Sequence, residues 1–279
     1  MSEYIFNPKT NGSQVLGCVP LHGPCPFACA DCFAQYKDKR GRSYLGENWE
    51  HTPNMPSLEQ AEKKIIRVND IGDSSDRVNQ VVAAVQCYKH RFYNTSFTGR
   101  LQHFDAPFML SVNPGDLTDQ SYQQILSRFH SNALAVRVRV NMWNVHVVQE
   151  VINHYTAVGI PVIMTFMAYH ETPIPREYEQ YYKDRQRTIN NYYCITQEGW
   201  DKVLAQLQLN ELTLTCGRDA TTHACTACRN CEKLYVLHML RRDPNIKPAD
   251  SAELFDLLKS EQQDEVYAKW LNPSKNLYT

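Results

Sequence analysis

The sequence lacks three features that would assign it to a simple class. Its 29 lysines and arginines nearly balance 30 aspartates and glutamates, and the net charge of −1 gives no indication of a surface built for nucleic acid. No apolar run approaches the roughly 18 residues that span a bilayer. The opening residues, MSEYIFNPKTNGS, have neither the charged nor the apolar region of a signal peptide. We therefore expect a cytoplasmic protein with no membrane partner.

The overall composition is otherwise ordinary, with one exception. Of the 279 residues, 43% are hydrophobic and 21% are charged, which is typical of a globular protein with a sizeable core. The length suits one large α/β domain with an appendage. Ten cysteines are unusual, and in a reducing compartment they indicate metal or redox chemistry rather than disulfides.

Apolar strand patterns alternate with helical patterns along much of the chain. Strands are predicted at residues 14–19, 107–113, 134–141, 161–168, 191–195 and 211–215. Helices are predicted at residues 57–70, 76–91, 118–130, 145–158, 176–189, 197–208, 232–242 and 251–270. Repeated β-α units with apolar strands favour a parallel sheet. The fold class is therefore predicted to be α/β, a partial (β/α)6 TIM-like barrel.

The character of the sequence changes at Cys216, where a cysteine-rich loop is followed by helical patterns. We predict two domains on this basis. Residues 1–215 would form the partial barrel, and residues 216–279 would form a small C-terminal cysteine-rich extension with helices.

The first cysteine motif, PCPFACADCFA, places Cys25, Cys29 and Cys32 in the spacing C-x3-C-x2-C. Three thiolates can bind three of the four irons of a 4Fe-4S cluster, which leaves the fourth iron open to another ligand. This pattern resembles that of the radical S-adenosylmethionine superfamily. Zinc coordination and a redox thiol pair remain alternatives, and Cys18 is a candidate fourth ligand that would close the site. The motif departs from the family at Asp31, where the family usually has an aromatic residue.

The resemblance, which extends over about residues 14–215, implies a cofactor, a partner and a reaction. S-adenosylmethionine would chelate the open iron through its amino and carboxylate groups, and flavodoxin or ferredoxin would act as the reductant. One electron would cleave the carbon–sulfur bond and yield a 5′-deoxyadenosyl radical that abstracts hydrogen from a substrate. The substrate classes that we consider are a nucleotide or nucleic-acid base, and a peptide or protein side chain.

The segment after the strand at 107–113 supplies candidate cofactor-binding residues. Asn113, Gly115 and Asp116 resemble the Gly-Gly-Glu motif of the family, which receives the ammonium group of the cofactor. The alternative is an ordinary strand-to-helix turn, in which glycine gives conformational freedom and Asp116 or Thr118 caps the helix.

Residues 136–141 alternate Val-Arg-Val-Arg-Val-Asn, so Arg137, Arg139 and Asn141 share one face of the predicted strand. If helices flank this strand, the valines pack outward and the polar residues line the barrel interior. Buried arginines need anionic partners, such as the cofactor carboxylate or a substrate carboxylate or phosphate. The alternative is an edge strand whose arginines lie in solvent.

A second set of cysteines follows the last predicted strand. Cys216, Cys225, Cys228 and Cys231 have the spacing C-x8-C-x2-C-x2-C. Four cysteines in sixteen residues indicate a metal site, and the arrangement is similar to the auxiliary-cluster extensions of radical S-adenosylmethionine proteins. Tetrahedral zinc, with His223 as a substitute ligand, and reactive free thiols remain open.

The remaining cysteines, Cys18, Cys87 and Cys194, are expected to be small buried hydrophobic residues. Two functions from other classes also remain open. One is a two-site zinc-binding module, and the other is an iron–sulfur electron carrier without chemistry of its own.

Overall fold

Short apolar segments bounded by polar residues form the strands of the protein in its computed structural model. The structure describes residues 3–23, 25–27, 29, 44–45, 52–113, 131–166, 168, 174–185, 192–222, 224–242, 246 and 251–271. Within these residues the strands, in chain order, are β1 (Val15–Cys18), β2 (Ile65–Val68), β3 (Arg91–Thr95), β4 (Phe108–Val112), β5 (Ala133–Val140), β6 (Val162–Phe166), β7 (Tyr182–Arg185), β8 (Tyr192–Ile195) and β9 (Thr213–Thr215).

Seven of these strands form one parallel sheet in the order β1-β2-β3-β4-β5-β6-β9. Strands that are neighbours in the sheet follow one another along the chain, which is the order of a half-barrel and is consistent with a partial TIM-like barrel. The predicted number of six strands is wrong. The prediction omits β2 and β3, and it includes β8, which pairs with β7 in a separate antiparallel sheet.

Helices connect and cover the strands. In chain order, those of the described residues are α1 (Leu58–Ala61), α2 (Val78–Val85), α3 (Val145–Ala157), α4 (Gln197–Gln206), α5 (Cys225–Cys228), α6 (Asn230–Arg242), α7 (Ala252–Phe255) and α8 (Ser260–Leu271). Two 3-10 helices lie at Thr98–His103 and Arg176–Tyr181. None of the helices in the described part of the chain has the length and apolar character that crossing a membrane requires.

The predictions for 145–158, 197–208 and 232–242 are confirmed by α3, α4 and α6, and 251–270 is broken into α7 and α8. The helix predicted at 176–189 is wrong, because the 3-10 helix ends at Tyr181 and β7 follows. The helix predicted at 118–130 lies outside the described residues.

The helix predicted over 57–70 is correct only at its start. The capping box is present: the backbone N–H of Gln60 donates to Ser57 Oγ at 3.1 Å, and that of Ser57 donates to Gln60 Oε1 at 2.8 Å. The helix nevertheless ends at Ala61, and β2 follows. All four residues of β2 are buried, because the sheet is covered on both faces.

The outer face of the sheet packs against α2, α3 and α4. The valines of the alternating segment, Val136, Val138 and Val140, are all at most 1% exposed and belong to this outer core. Trp200 of α4 stacks on Phe166 of β6 with ring centroids 3.9 Å apart. The prediction that the valines pack outward is therefore confirmed.

The inner face of the sheet is covered by the C-terminal helices over its lower half. Apolar side chains from the first halves of the strands, including Ile65, Phe92 and Met109, share a core with Tyr235 and Leu257. The N-terminal segment also contacts this region. Residues on both sides of the predicted boundary at 215/216 thus contribute to one core, and the division into two domains stays a prediction.

A histidine in this inner core makes the stability of the fold sensitive to pH. His238 of α6 is 4% exposed, and burial together with the charges of Arg242 and Arg241 lowers its pKa to about 4. In the unfolded chain the same histidine has a pKa near 6.5. The contribution of neutral His238 to the free energy of unfolding is therefore fully present above pH 6.5 and is lost as the pH falls toward 4. We expect the free energy of unfolding to decrease by about 2 kcal/mol between pH 7 and pH 5 from this group alone.

The measurement is chemical denaturation of the protein and of His238→Gln at both pH values. The substitution should remove about 2 kcal/mol of the pH dependence. An identical pH dependence in the two proteins would show that His238 is not the responsible group.

Candidate functional site

Polar side chains occupy the upper half of the inner face, toward the carboxyl ends of the strands. Because side chains alternate along a strand, the inward residues of these upper halves follow directly from the register. They are Arg67, Asn94, Ser111, Arg137, Arg139 and Thr165. The carboxyl ends of parallel strands are where α/β folds bind their ligands. The change from apolar to polar inward residues marks this end of the sheet as the candidate site.

Three atoms of this polar layer have no hydrogen-bond partner among the described residues. Asn94 Oδ1, Arg137 Nε and Thr165 Oγ1 are all buried, and they come from three different strands. Buried polar atoms are nearly always hydrogen-bonded in native proteins, so these three are suited to contact a ligand. Asn94 was not among the sequence candidates, although its position near the end of an apolar strand was a usable signal.

The two described cysteines of the first motif, Cys25 and Cys29, follow β1 and lie beside the loops that follow β2 and β3. Cys29 Sγ is 4.0 Å from the hydroxyl of Ser96, which follows β3. Cys25 lies beside Gly72, in the loop after β2; a Cβ at Gly72 would be 3.9 Å from Cys25 Cβ. Gly72 has a φ of +86°, which favours glycine. The third cysteine of the motif, Cys32, lies outside the described residues.

A buried carboxylate, Asp73, joins the loops that carry these contacts. Its Oδ1 accepts hydrogen bonds from the backbone and hydroxyl of Ser75 and from the hydroxyl of Thr95. Its Oδ2 accepts from the backbone N–H of Ser96 at 2.6 Å and from the Ser96 hydroxyl at 2.9 Å. Asp73 therefore holds the hydroxyl that faces Cys29. The sequence predictions missed this residue, although the polar run that follows β2 pointed to the same edge of the sheet.

The candidate residues after β4 and on β5 are only partly described. Asn113 directly follows β4 and is partly buried, whereas Gly115 and Asp116 lie outside the described residues. Arg139 is paired in register with Thr165 on β6. Asn141 is buried in the turn after β5, where its Oδ1 accepts a hydrogen bond from the backbone N–H of Trp143 at 2.9 Å.

The alternative that Arg137 and Arg139 lie on an edge strand is wrong. Their strand, β5, pairs with β4 on one side and β6 on the other, so both arginines project from the middle of the sheet. Their guanidinium groups extend toward the inner face, because the intervening valines fill the outer core.

The other cysteines divide into two kinds. Cys18 and Cys194 are buried, as predicted, but Cys87 is exposed, so that prediction is wrong. Cys18 belongs to the outer core, on the opposite face of the sheet from the polar layer. Burial raises the pKa of its thiol, as do the charges of Asp70 and Cys87. This position argues against Cys18 as a fourth ligand of the first cysteine motif.

The second cysteine set lies against the inner face, and three elements position it. The backbone N–H of Cys216 donates to Met164 O of β6 at 2.7 Å, which continues the pairing of β9. The backbone N–H of Cys225, at the start of α5, donates to Lys9 O at 2.7 Å. The carboxylate of Glu232, on α6, accepts from the backbone N–H of Gln14 at 2.7 Å. The second cysteine set therefore lies between the sheet and the N-terminal segment.

The four thiols of this set influence one another directly. Cys216 donates a hydrogen bond to Cys228, which lowers the pKa of Cys228 to about 6 and keeps that of Cys216 well above its usual value. Burial raises the pKa of Cys231 to about 11, while the positive charge of Arg137 acts to lower that pKa. Cys225 and Cys216 also act on Cys231 through their charges.

The donor chemistry of both sets fits a soft metal or an iron–sulfur cluster, because thiolates are the ligands that such groups prefer. Within the described part of the chain, no three histidine, cysteine, aspartate or glutamate side chains stand together as a ready-made metal site. Only two cysteines of the first motif are described. Those of the second set interact but would have to turn their thiols toward a common ion. His223 lies outside the described residues.

Comparisons of the chain with protein-family models, with curated proteins and with solved structures found no match. The interpretation of the site depends on its own residues. They place two thiols of the C-x3-C-x2-C motif at the carboxyl edge of a parallel half-barrel, near a polar layer that contains three buried atoms without partners among the described residues.

Proposed function

We propose that the protein is a radical S-adenosylmethionine enzyme whose first cluster is held by Cys25, Cys29 and Cys32. When bound there, the cluster would supply one electron for the reductive cleavage of S-adenosylmethionine, and the chemistry provided would be hydrogen abstraction from a substrate. The substrate classes proposed are a nucleotide or nucleic-acid base, and a peptide side chain.

The observation that carries this proposal is the position of the described cysteines. Cys25 and Cys29 follow the first strand of a parallel half-barrel and lie over its carboxyl edge. A zinc-binding module does not require a cavity at the carboxyl ends of the strands, whereas an enzyme that binds a cofactor and a substrate together requires one. Cys18 in the outer core supports a site with three protein thiolates rather than four.

The polar layer provides groups that can bind and orient the cofactor and the substrate. Asn94 Oδ1 can accept a hydrogen bond from an ammonium group, and Thr165 Oγ1 can donate one to an oxygen. Arg137 and Arg139 are candidates for a carboxylate, and the segment of Asn113, Gly115 and Asp116 is retained for the ammonium group. The C-terminal helices close the lower half of the barrel with apolar side chains and exclude water there.

The second cysteine set is proposed to hold an auxiliary 4Fe-4S cluster, with zinc as the alternative metal. Four thiolates satisfy either group without an open position.

We also propose the finer description of the fold, a partial TIM-like barrel over 1–215 with a cysteine-rich extension over 216–279. We further propose that the protein is cytosolic and that flavodoxin or ferredoxin reduces its first cluster.

The experiment is electron paramagnetic resonance of the anaerobically reconstituted protein after one-electron reduction. Addition of S-adenosylmethionine should alter the spectrum of one cluster, because the cofactor would coordinate its open iron. Cys228→Ala should retain this response, whereas Cys29→Ala should lose it. A protein that takes up zinc but no iron, or a spectrum that the cofactor leaves unchanged, would refute the proposal.

A further inference from the structure

A buried arginine lies on the inner face beside the second cysteine set. Arg67 of β2 is 9% exposed, and its inward direction follows from its register with Gly17 and Phe92. A buried guanidinium cannot shed its charge, so Arg67 needs anionic groups around it.

The partners of Arg67 are known in detail. Its Nε forms an ion pair with Asp70, which also accepts a hydrogen bond from the side chain of Asn7. Its Nη1 lies 3.7 Å from Cys225 Sγ, within hydrogen-bond distance for sulfur. Burial alone would lower the pKa of Arg67, but the charges of Asp70, Cys225 and Cys231 raise it well above its usual value.

Charge explains why an N–H donor suits this position. Four thiolates around Zn²⁺, or around an oxidised 4Fe-4S core of charge +2, leave a net charge of −2. Such a charge is costly in a buried site unless cations or N–H donors compensate it. Arg67 brings one such N–H donor to Cys225.

We propose that Arg67 is a positioning residue of a metal site formed by the second cysteine set, in which it donates an N–H hydrogen bond to the Cys225 thiolate. This inference deepens the proposed function and depends on its second metal site. It assigns to Arg67 the stabilisation of the bound metal, apart from any contact with cofactor or substrate.

The test uses the full chain with Cys29→Ala in every protein, so that the first motif does not compete for metal. Zinc alone is the probe, and its affinity is measured by competition with a coloured chelator under reducing conditions. Adding Arg67→Met should weaken zinc binding by about 10- to 100-fold, as the loss of a hydrogen bond to a metal ligand commonly does. Arg91→Met is the matched control, because Arg91 pairs with Asp105, which is not part of either cysteine set.

Cobalt(II) in place of zinc gives an absorption band whose energy reports on the metal ligands and would not change with a general loss of stability. Loss of the N–H···S bond makes Cys225 a stronger donor, so the thiolate-to-cobalt charge-transfer band should shift to lower energy in Arg67→Met. Unchanged zinc affinity and an unchanged cobalt band would overturn the inference. If Arg67→Met does not fold, Arg67→Lys decides by the same two criteria, because it keeps the positive charge beside Asp70 but lacks the Nη1 donor. A Cys29→Ala parent that binds no zinc would overturn the second metal site itself, whereas tight zinc binding by the parent that is insensitive to the replacement of Arg67 overturns only its role.

Discussion

Replacing Cys29 by alanine is expected to reduce the formation of 5′-deoxyadenosine from S-adenosylmethionine by at least about a hundredfold, since even residues behind a metal ligand commonly contribute 10- to 100-fold. Cys29 lies at the carboxyl edge of the sheet, beside Ser96, where the proposed cluster would be held. The product is quantified chromatographically after anaerobic reconstitution and chemical reduction, with iron content measured on the same samples.

Two other cysteine variants serve as controls for this result. Cys87→Ala changes an exposed cysteine that belongs to neither set, and it should leave product formation unchanged. Cys228→Ala should leave some cleavage of the cofactor that is uncoupled from substrate, if the second set is auxiliary. Equal loss in Cys29→Ala and Cys228→Ala would contradict the division of labour between the two sets.

Replacing Asp73 by alanine is expected to lower the free energy of unfolding by about 3 kcal/mol or more, because it leaves several buried donors without an acceptor. Asp73 accepts hydrogen bonds from Ser75, Thr95 and Ser96, and it is 6% exposed. The measurement is equilibrium denaturation in urea. Because Asp73 also holds Ser96 beside Cys29, the folded fraction of the variant should retain less iron in the first site.

Asp76→Ala is the matched control for Asp73→Ala. Asp76 is three residues further along the chain, and its partner is the exposed Arg77. An exposed ion pair of this kind contributes at most about 1 kcal/mol, so the control should remain close to the parent in stability. Similar losses in the two variants would contradict the structural role assigned to Asp73.

The sequence predicted the sheet best where strands and helices alternate with clear periods. β4, β5 and β6 and the helices after β5 and β8 were predicted with small errors at their ends, because apolar runs and polar turns separate them. β2 was missed, since Ile65 and Ile66 are adjacent apolar residues that suit a helix as well as a strand buried on both faces. β8 was predicted as a strand, but its partner cannot be read from its residues.

The candidate site could be predicted where its residue types alone indicate chemistry. The two cysteine sets and the alternation of Arg137 and Arg139 were visible in the sequence. The contributions of Asn94 and Asp73 were not predicted, because their roles depend on the register of β3 and on a hydrogen-bond network between loops. Likewise, the contact of Arg67 with Cys225 joins residues 158 positions apart, and only the fold brings them together.

The most direct measurement of the central claim is the product formed by the wild-type chain. The protein is reconstituted with iron and sulfide in the absence of oxygen, reduced with dithionite and incubated with S-adenosylmethionine. The account predicts 5′-deoxyadenosine and methionine in amounts that depend on reductant and on iron. A protein that holds a reduced 4Fe-4S cluster and yet forms neither product would contradict it.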